Sequence, residues 1–205
     1  MKKLFWISAA VLAVLPVPRM AQAHFTLLEP ASWLVETNAL GDPQKLAPCG
    51  GTTANPGTPT GTVSEAVGGA LLHIKLRETV FHPGHYRIAL AVKSRAELPA
   101  DPEVTTRDTP KGPWSVSAKI MNPVAPPVLA DGVFLHTEKA APDTYFETDV
   151  RLPNINCDRC SLQIVEFMAE HGHNLDGDYS YHHCADLRIR ANRSLPVDKL
   201  WPGQS

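Results

Sequence analysis

Leu71-Leu72-His73-Ile74-Lys75-Leu76-Arg77-Glu78-Thr79-Val80 alternates apolar and polar side chains over most of its length. Successive side chains leave a pleated strand on opposite faces, so this period suits a strand with one face in a core and one in water. Tyr86 to Val92 repeats the pattern after the turn signal Pro83-Gly84, and Phe81-His82-Pro83-Gly84-His85 reads as a hairpin turn between the two. Working outward, strands are predicted over Trp114 to Ile120, Gly132 to His136, Tyr145 to Leu152, Ser161 to Met168 and Cys184 to Ala191. No stretch carries a sustained helical period bounded by caps, and no internal repeat recurs at a fixed spacing. Strands of this length, separated by Pro- and Gly-bearing turns, predict an all-β, two-sheet sandwich.

Three segments read as loops: Gly41 to Gly61, Ser94 to Pro113 and Met121 to Ala130. Long ordered loops on a sandwich carry function or are held down by a staple. Cys49 lies in the first of them, and the chain's other cysteines are Cys157, Cys160 and Cys184. An even count favours two disulfides, with three possible pairings. Cys157-Asp158-Arg159-Cys160 could instead be a redox pair, but no βαβ pattern surrounds it. As half of a zinc site it would need the remaining two cysteines, which lie far apart in sequence. The favoured pairing is Cys157 with Cys160 as a local staple and Cys49 with Cys184 as a long-range one.

Residues 1–23 have the three parts of a secretory signal: Lys2 and Lys3, an apolar run from Leu4 to Val17, and the small-x-small site Ala21-Gln22-Ala23. That run is short for a membrane span and no later segment approaches one, so a secreted or periplasmic protein without a membrane span is expected. Cutting after Ala23 would leave 182 of the 205 residues, a length that suits one domain over 24–205. The net charge of −2 becomes −5 without Lys2, Lys3 and Arg19. A mildly acidic chain with no basic run argues against nucleic acid as a partner.

Cleavage there would make His24 the first residue, with an imidazole and a free α-amine on one residue. Together they can chelate a metal once the amine has lost its proton, and a second imidazole would complete three nitrogen ligands, a set that suits copper. The plainer reading leaves His24 a frayed first residue. Of the other histidines, His73 and His136 sit inside predicted strands and are poor ligand candidates. His82 is the first choice for the second imidazole and His85 the second, because a turn at the end of a sandwich can project a side chain into a site. His171 and His173, in Glu170-His171-Gly172-His173-Asn174, read as a solvated loop.

Four ordered stretches resemble the lytic polysaccharide monooxygenases, copper enzymes with an immunoglobulin-like sandwich and a histidine brace. His24-Phe25-Thr26-Leu27-Leu28-Glu29-Pro30-Ala31-Ser32 is similar to the family's mature start. His82-Pro83-Gly84-His85-Tyr86 is similar to the turn and strand that supply the second brace histidine. Cys157-Asp158-Arg159-Cys160-Ser161-Leu162-Gln163 and Tyr181-His182-His183-Cys184-Ala185-Asp186 resemble two further strands.

The resemblance implies an immunoglobulin- or fibronectin-like sandwich and one copper ion, held by the amine and imidazole of His24 with the imidazole of His82. It implies Tyr181 at an axial position, and a Cys49–Cys184 disulfide tying the early loop to the last strand near the brace. The implied reaction is oxidative cleavage of a polysaccharide such as chitin or cellulose, with electrons from an external donor. The chain departs from the family's fungal branches two residues before the axial aromatic, where Tyr179 replaces Gln or Glu. Strand alternation puts Tyr179, Tyr181 and His183 on one face and His182 on the other, so Tyr179, His183 or His171 would back the metal. Two other readings stand beside the enzyme: an exported copper carrier or store, and a sandwich without metal.

Overall fold

The computed structural model describes residues 24–142 and 144–204, so the expected leader lies outside the described residues. One sheet is built from β1 (His24–Glu29), β3 (Leu71–Val80) and β8 (Phe146–Arg151), in the order β1-β3-β8. The facing sheet takes β2 (Val63–Val67), β4 (Gly84–Ala91), β7 (Val128–His136), β9 (Cys157–Met168) and β10 (Ser180–Arg190), in the order β2-β10-β9-β4-β7. A hairpin of β5 (Val104–Thr109) and β6 (Gly112–Ala118) stands apart from both. The fold is the expected β-sandwich. No helix among the described residues is long and apolar enough to cross a membrane.

The alternation that predicted the strands also builds the core. Phe25, Leu27, Ile74 and Leu76 of the first sheet meet Tyr86, Ile88, Leu90, Leu162, Ile164, Tyr181, Leu187 and Ile189 of the second. Burying a side chain of this kind contributes about 1.5–3 kcal/mol. β4 is buried along its whole length because loops also cover the outer face of its sheet, where Ala89 and Ala91 pack with Leu98, Cys49, Cys184 and Trp33. Backbone bonds fasten this cover: Trp33 N–H donates to the Cys184 carbonyl at 2.7 Å, and His182 N–H to the Gln44 carbonyl at 2.7 Å. Both expected disulfides are present, Cys49–Cys184 and Cys157–Cys160.

Two departures from the sequence reading concern the strands themselves. Residues 81–85 do not turn a hairpin, because β3 and β4 belong to different sheets and the segment crosses from one layer to the other. Gly84 makes the crossing possible: a Cβ there would lie 1.8 Å from the Phe167 carbonyl oxygen. The stretch Ser94 to Pro113, read as loop, contains a 3-10 turn at Arg95–Glu97 and all of β5. Val104-Thr105-Thr106-Arg107-Asp108-Thr109 shows no apolar alternation because none of its residues is buried.

Candidate metal centre

β1 and β3 run antiparallel with His24 opposite Val80, which places His24 beside the crossing that begins at Phe81. His82 stands two residues past that partner. Its backbone N–H donates to Glu78 Oε1 at 3.1 Å, and the next carbonyl, Pro83, accepts from Ala169 N–H at 2.6 Å. The segment bearing His82 is therefore fixed to both sheets.

Both imidazoles are buried, His24 at 6% exposure and His82 at 8%. His24 Nδ1 donates to the Gly41 carbonyl oxygen at 2.8 Å, and its ring centre lies 5.7 Å from that of Tyr181. His82 Nδ1 makes no hydrogen bond of regular geometry, and the Tyr181 hydroxyl has no partner. Burial, then the His171 imidazole and to a lesser degree that of His24, push His82 down to about 4. Burial likewise lowers His24, so both rings are neutral at physiological pH with lone pairs available to a metal.

Beneath this corner lies Glu166, a residue the sequence reading did not single out. It sits opposite Tyr181 on β10 and opposite Tyr86 on β4, fully buried, and neither carboxyl oxygen makes a hydrogen bond of regular geometry. Burial, with the Glu78 carboxylate second, raises its pKa well above the usual range and favours the protonated form. Burial and the proximity of Glu166 raise Tyr181 as well, so the phenol stays neutral. The signal was present in Leu162-Gln163-Ile164-Val165-Glu166: Leu162 and Ile164 give the even-numbered positions to the core, and Glu166 is even.

His171 is half-buried, and its segment is paired where a free loop was expected. Segment 170–172 pairs with β6: Ser115 N–H donates to the His171 carbonyl at 2.9 Å, and Gly172 bridges to Trp114. This holds the His171 ring 4.7 Å from that of His82, edge to face. His173 does remain exposed, with Nε2 2.7 Å from Asp178.

His85, the second-choice ligand, is placed away from the corner. Tyr86, Ile88 and Leu90 face the core, so His85 points to the other side of the sheet, against the Phe167 ring at 5.3 Å and 3.9 Å from Asp131. Tyr179 also leaves the expected face. The backbone of Asp178 is left-handed (φ 45°), and β10 begins only at Ser180. The Tyr179 hydroxyl donates to the Pro113 carbonyl, and its ring meets His173 edge-on. It lines a cleft with Asp101, which binds His182 Nε2 on the outer face.

The chain matches no protein-family model and no curated protein. The geometry carries the functional reading. Among the described residues no group of three or more His, Cys, Asp or Glu side chains is placed to hold a metal ion. A site of two imidazoles completed by a main-chain amine is not such a group.

His183 shares the inward face of β10 with Tyr181 but faces a different neighbourhood. Its ring packs 4.2 Å from that of Phe25, and Nδ1 lies 3.4 Å from Glu36 Oε1. Burial pushes His183 down to about 3 and raises Glu36 to about 7, so on the acid side of neutrality both partners are uncharged. An acid whose folded pKa lies above its unfolded one binds its proton more tightly when folded, so it loses stability as pH rises through the folded value. Glu36→Gln is therefore expected to leave stability unchanged near pH 4 and to raise it by about 2–3 kcal/mol at pH 8. Urea unfolding of both proteins across that range measures it, and a gain that is constant with pH would contradict the assignment.

Proposed function

We propose that the chain, once cut after Ala23, holds one copper ion and uses it for oxidative cleavage of an insoluble polysaccharide such as chitin or cellulose. The ligands are the amine and imidazole of His24 and the imidazole of His82, and the electrons come from an external donor. The observation that carries this reading is the placement of two buried imidazoles at one corner of the sandwich, near enough for His24 to lower the pKa of His82, beside a buried tyrosine with an unpartnered hydroxyl. Copper in such a setting supplies one-electron and oxygen chemistry, while the protein fixes its ligands and restricts access. Chelation by the amine and ring of one residue uses Nδ1, the nitrogen that Gly41 holds before processing. Binding therefore turns the His24 ring off that carbonyl, at a cost of about 1 kcal/mol for one hydrogen bond.

The residues around the ligands have separable tasks. Tyr181 closes the inner side against the core. Glu166, fully buried opposite Tyr181 and with its pKa raised by burial, is the acid nearest to hand for the role that a Gln or Glu in place of Tyr179 would have had. His171, edge-on to His82, lines the side toward β6; its Nδ1 donates to the Gly172 carbonyl, which leaves Nε2 as an acceptor for a sugar hydroxyl. A second reading, an exported copper carrier, is favoured by the placement of Tyr179 away from the corner.

Titration of the processed protein with Cu(II) and mass spectrometry of its products separate these readings. The enzyme is expected to bind one equivalent and, with a reductant, to release oxidised oligosaccharides from chitin or cellulose. Tight binding with no oxidised product on a broad polysaccharide panel supports the carrier, and no binding removes both readings.

A further inference from the structure

The register of β1 on β3 slips between His24 and Phe25: His24 lies opposite Val80, and Phe25 opposite Glu78. Thr79 is therefore the extra residue of a β-bulge. In a regular strand Glu78 and Thr79 would point to opposite faces, but a bulge re-aims the side chains around it. Here both reach the corner that holds the two imidazoles. The Thr79 hydroxyl lies 2.8 Å from the His24 carbonyl oxygen and 2.5 Å from that of Leu40, so it ties the start of β1 to the loop whose next residue, Gly41, holds the His24 ring. Glu78 Oε1 accepts the His82 backbone N–H at 3.1 Å and His136 Nε2 at 3.0 Å.

His136 ends β7 in the facing sheet, so one buried carboxylate oxygen links the two layers at the point where the chain crosses between them. The His136 ring is itself packed, 5.8 Å from Phe81 and 5.0 Å from Phe146. Neither Glu78 nor Thr79 faces the proposed metal through its own side chain. Each grips the main chain of a residue that does.

We propose that this bulge is the positioning device of the metal centre: Thr79 sets the main-chain placement of His24 and Glu78 that of His82, so the two ligand-bearing segments are held beside each other before any metal arrives, and only the His24 ring has still to turn. The proposal rests on the copper reading above. Partners one layer out from metal ligands typically change affinity by about 10–100-fold when removed.

The test uses the processed protein, Cu(II) competition against a chelator of known affinity, and the Cu(II) electron paramagnetic resonance spectrum. Thr79→Val keeps the shape and removes the hydroxyl, Glu78→Met fills the space without an acceptor, and Thr79→Ser and Glu78→Gln restore an oxygen in each place. Thr79→Val and Glu78→Met are expected to bind at least about tenfold more weakly with altered copper hyperfine splitting, and the conservative pair to stay within about threefold of the parent. If the parent binds copper and a folded Thr79→Val protein matches it in affinity and spectrum, the bulge proposal fails while the copper reading stands. If the parent binds none, both fall. Should Glu78→Met not fold, Thr79→Val, which is isosteric with the native residue, decides.

Discussion

One alanine added ahead of His24 in the processed chain is expected to weaken Cu(II) binding about a thousandfold, on the order of 4 kcal/mol. The addition converts the primary amine into a peptide nitrogen, whose lone pair is delocalised into the carbonyl and reaches a metal only after the N–H proton is displaced. It also removes the chelate ring, leaving two imidazoles on separate segments, each of which must be held in place by the fold alone. The fold itself should not notice. The addition precedes β1, so the pairing of His24 with Val80, the bond from Thr79 and the packing of Phe25 all survive. Thermal unfolding of the metal-free proteins should therefore coincide, and only the competition titration should separate them. Equal affinities would place the metal elsewhere and dismiss the amine. His82→Ala is the complementary variant, because it removes the second segment's only contribution and leaves the amine intact.

How much of this was legible in the sequence follows from what a period of two can and cannot encode. Leu71 to Val80 is a strand with the predicted limits, because apolar and polar residues alternate without a break from Leu72 to Arg77. The same parity, followed further, would have settled His85: with Tyr86, Ile88 and Leu90 in the core, an odd-numbered neighbour must point outward. It would also have marked Glu166 as a buried acid. Parity failed at Tyr179 because the left-handed backbone of Asp178 interrupts the strand just before it. The bulge at Thr79 was not legible at all, since an extra residue exists only relative to the partner strand, and β1 was not anticipated. His171 was named among three residues that would back the metal, but could not be told from the other two, for a related reason. Its position depends on pairing with β6, more than fifty residues earlier in the chain, through Ser115. Side-chain chemistry named His24 and His82, whereas the groups that hold them are defined by pairings between distant segments.

The other large effect concerns the loop that reaches His24 from outside. Replacing both Cys49 and Cys184 by alanine is expected to cost about 5 kcal/mol and to lower the melting temperature by about 10–20 °C. The bond spans 135 residues of sequence, so its loss returns a long closed loop to the unfolded ensemble. The Cys157–Cys160 bond spans 3, and the same reasoning gives only about 2 kcal/mol for its removal. Set against the 5–15 kcal/mol typical of a folded domain, about 5 kcal/mol brings the protein close to its unfolding threshold. The local consequence should come first. Cys49 anchors a segment whose carbonyls hold the outer face of β10 and β9: Lys45 accepts from His182 Nδ1 at 2.7 Å, and Pro48 from Gln163 Nε2 at 2.9 Å. A few residues earlier the same segment holds His24 through Gly41 and Thr79 through Leu40. Freed of its anchor, this cover should exchange its amide protons faster than β3 or β9 at temperatures where the sandwich is still folded. Hydrogen exchange on the double variant measures that difference. Uniform exchange across loop and strands, or equal losses on removing either disulfide, would show that the long bond acts on the native structure as a whole and not through the loop it closes.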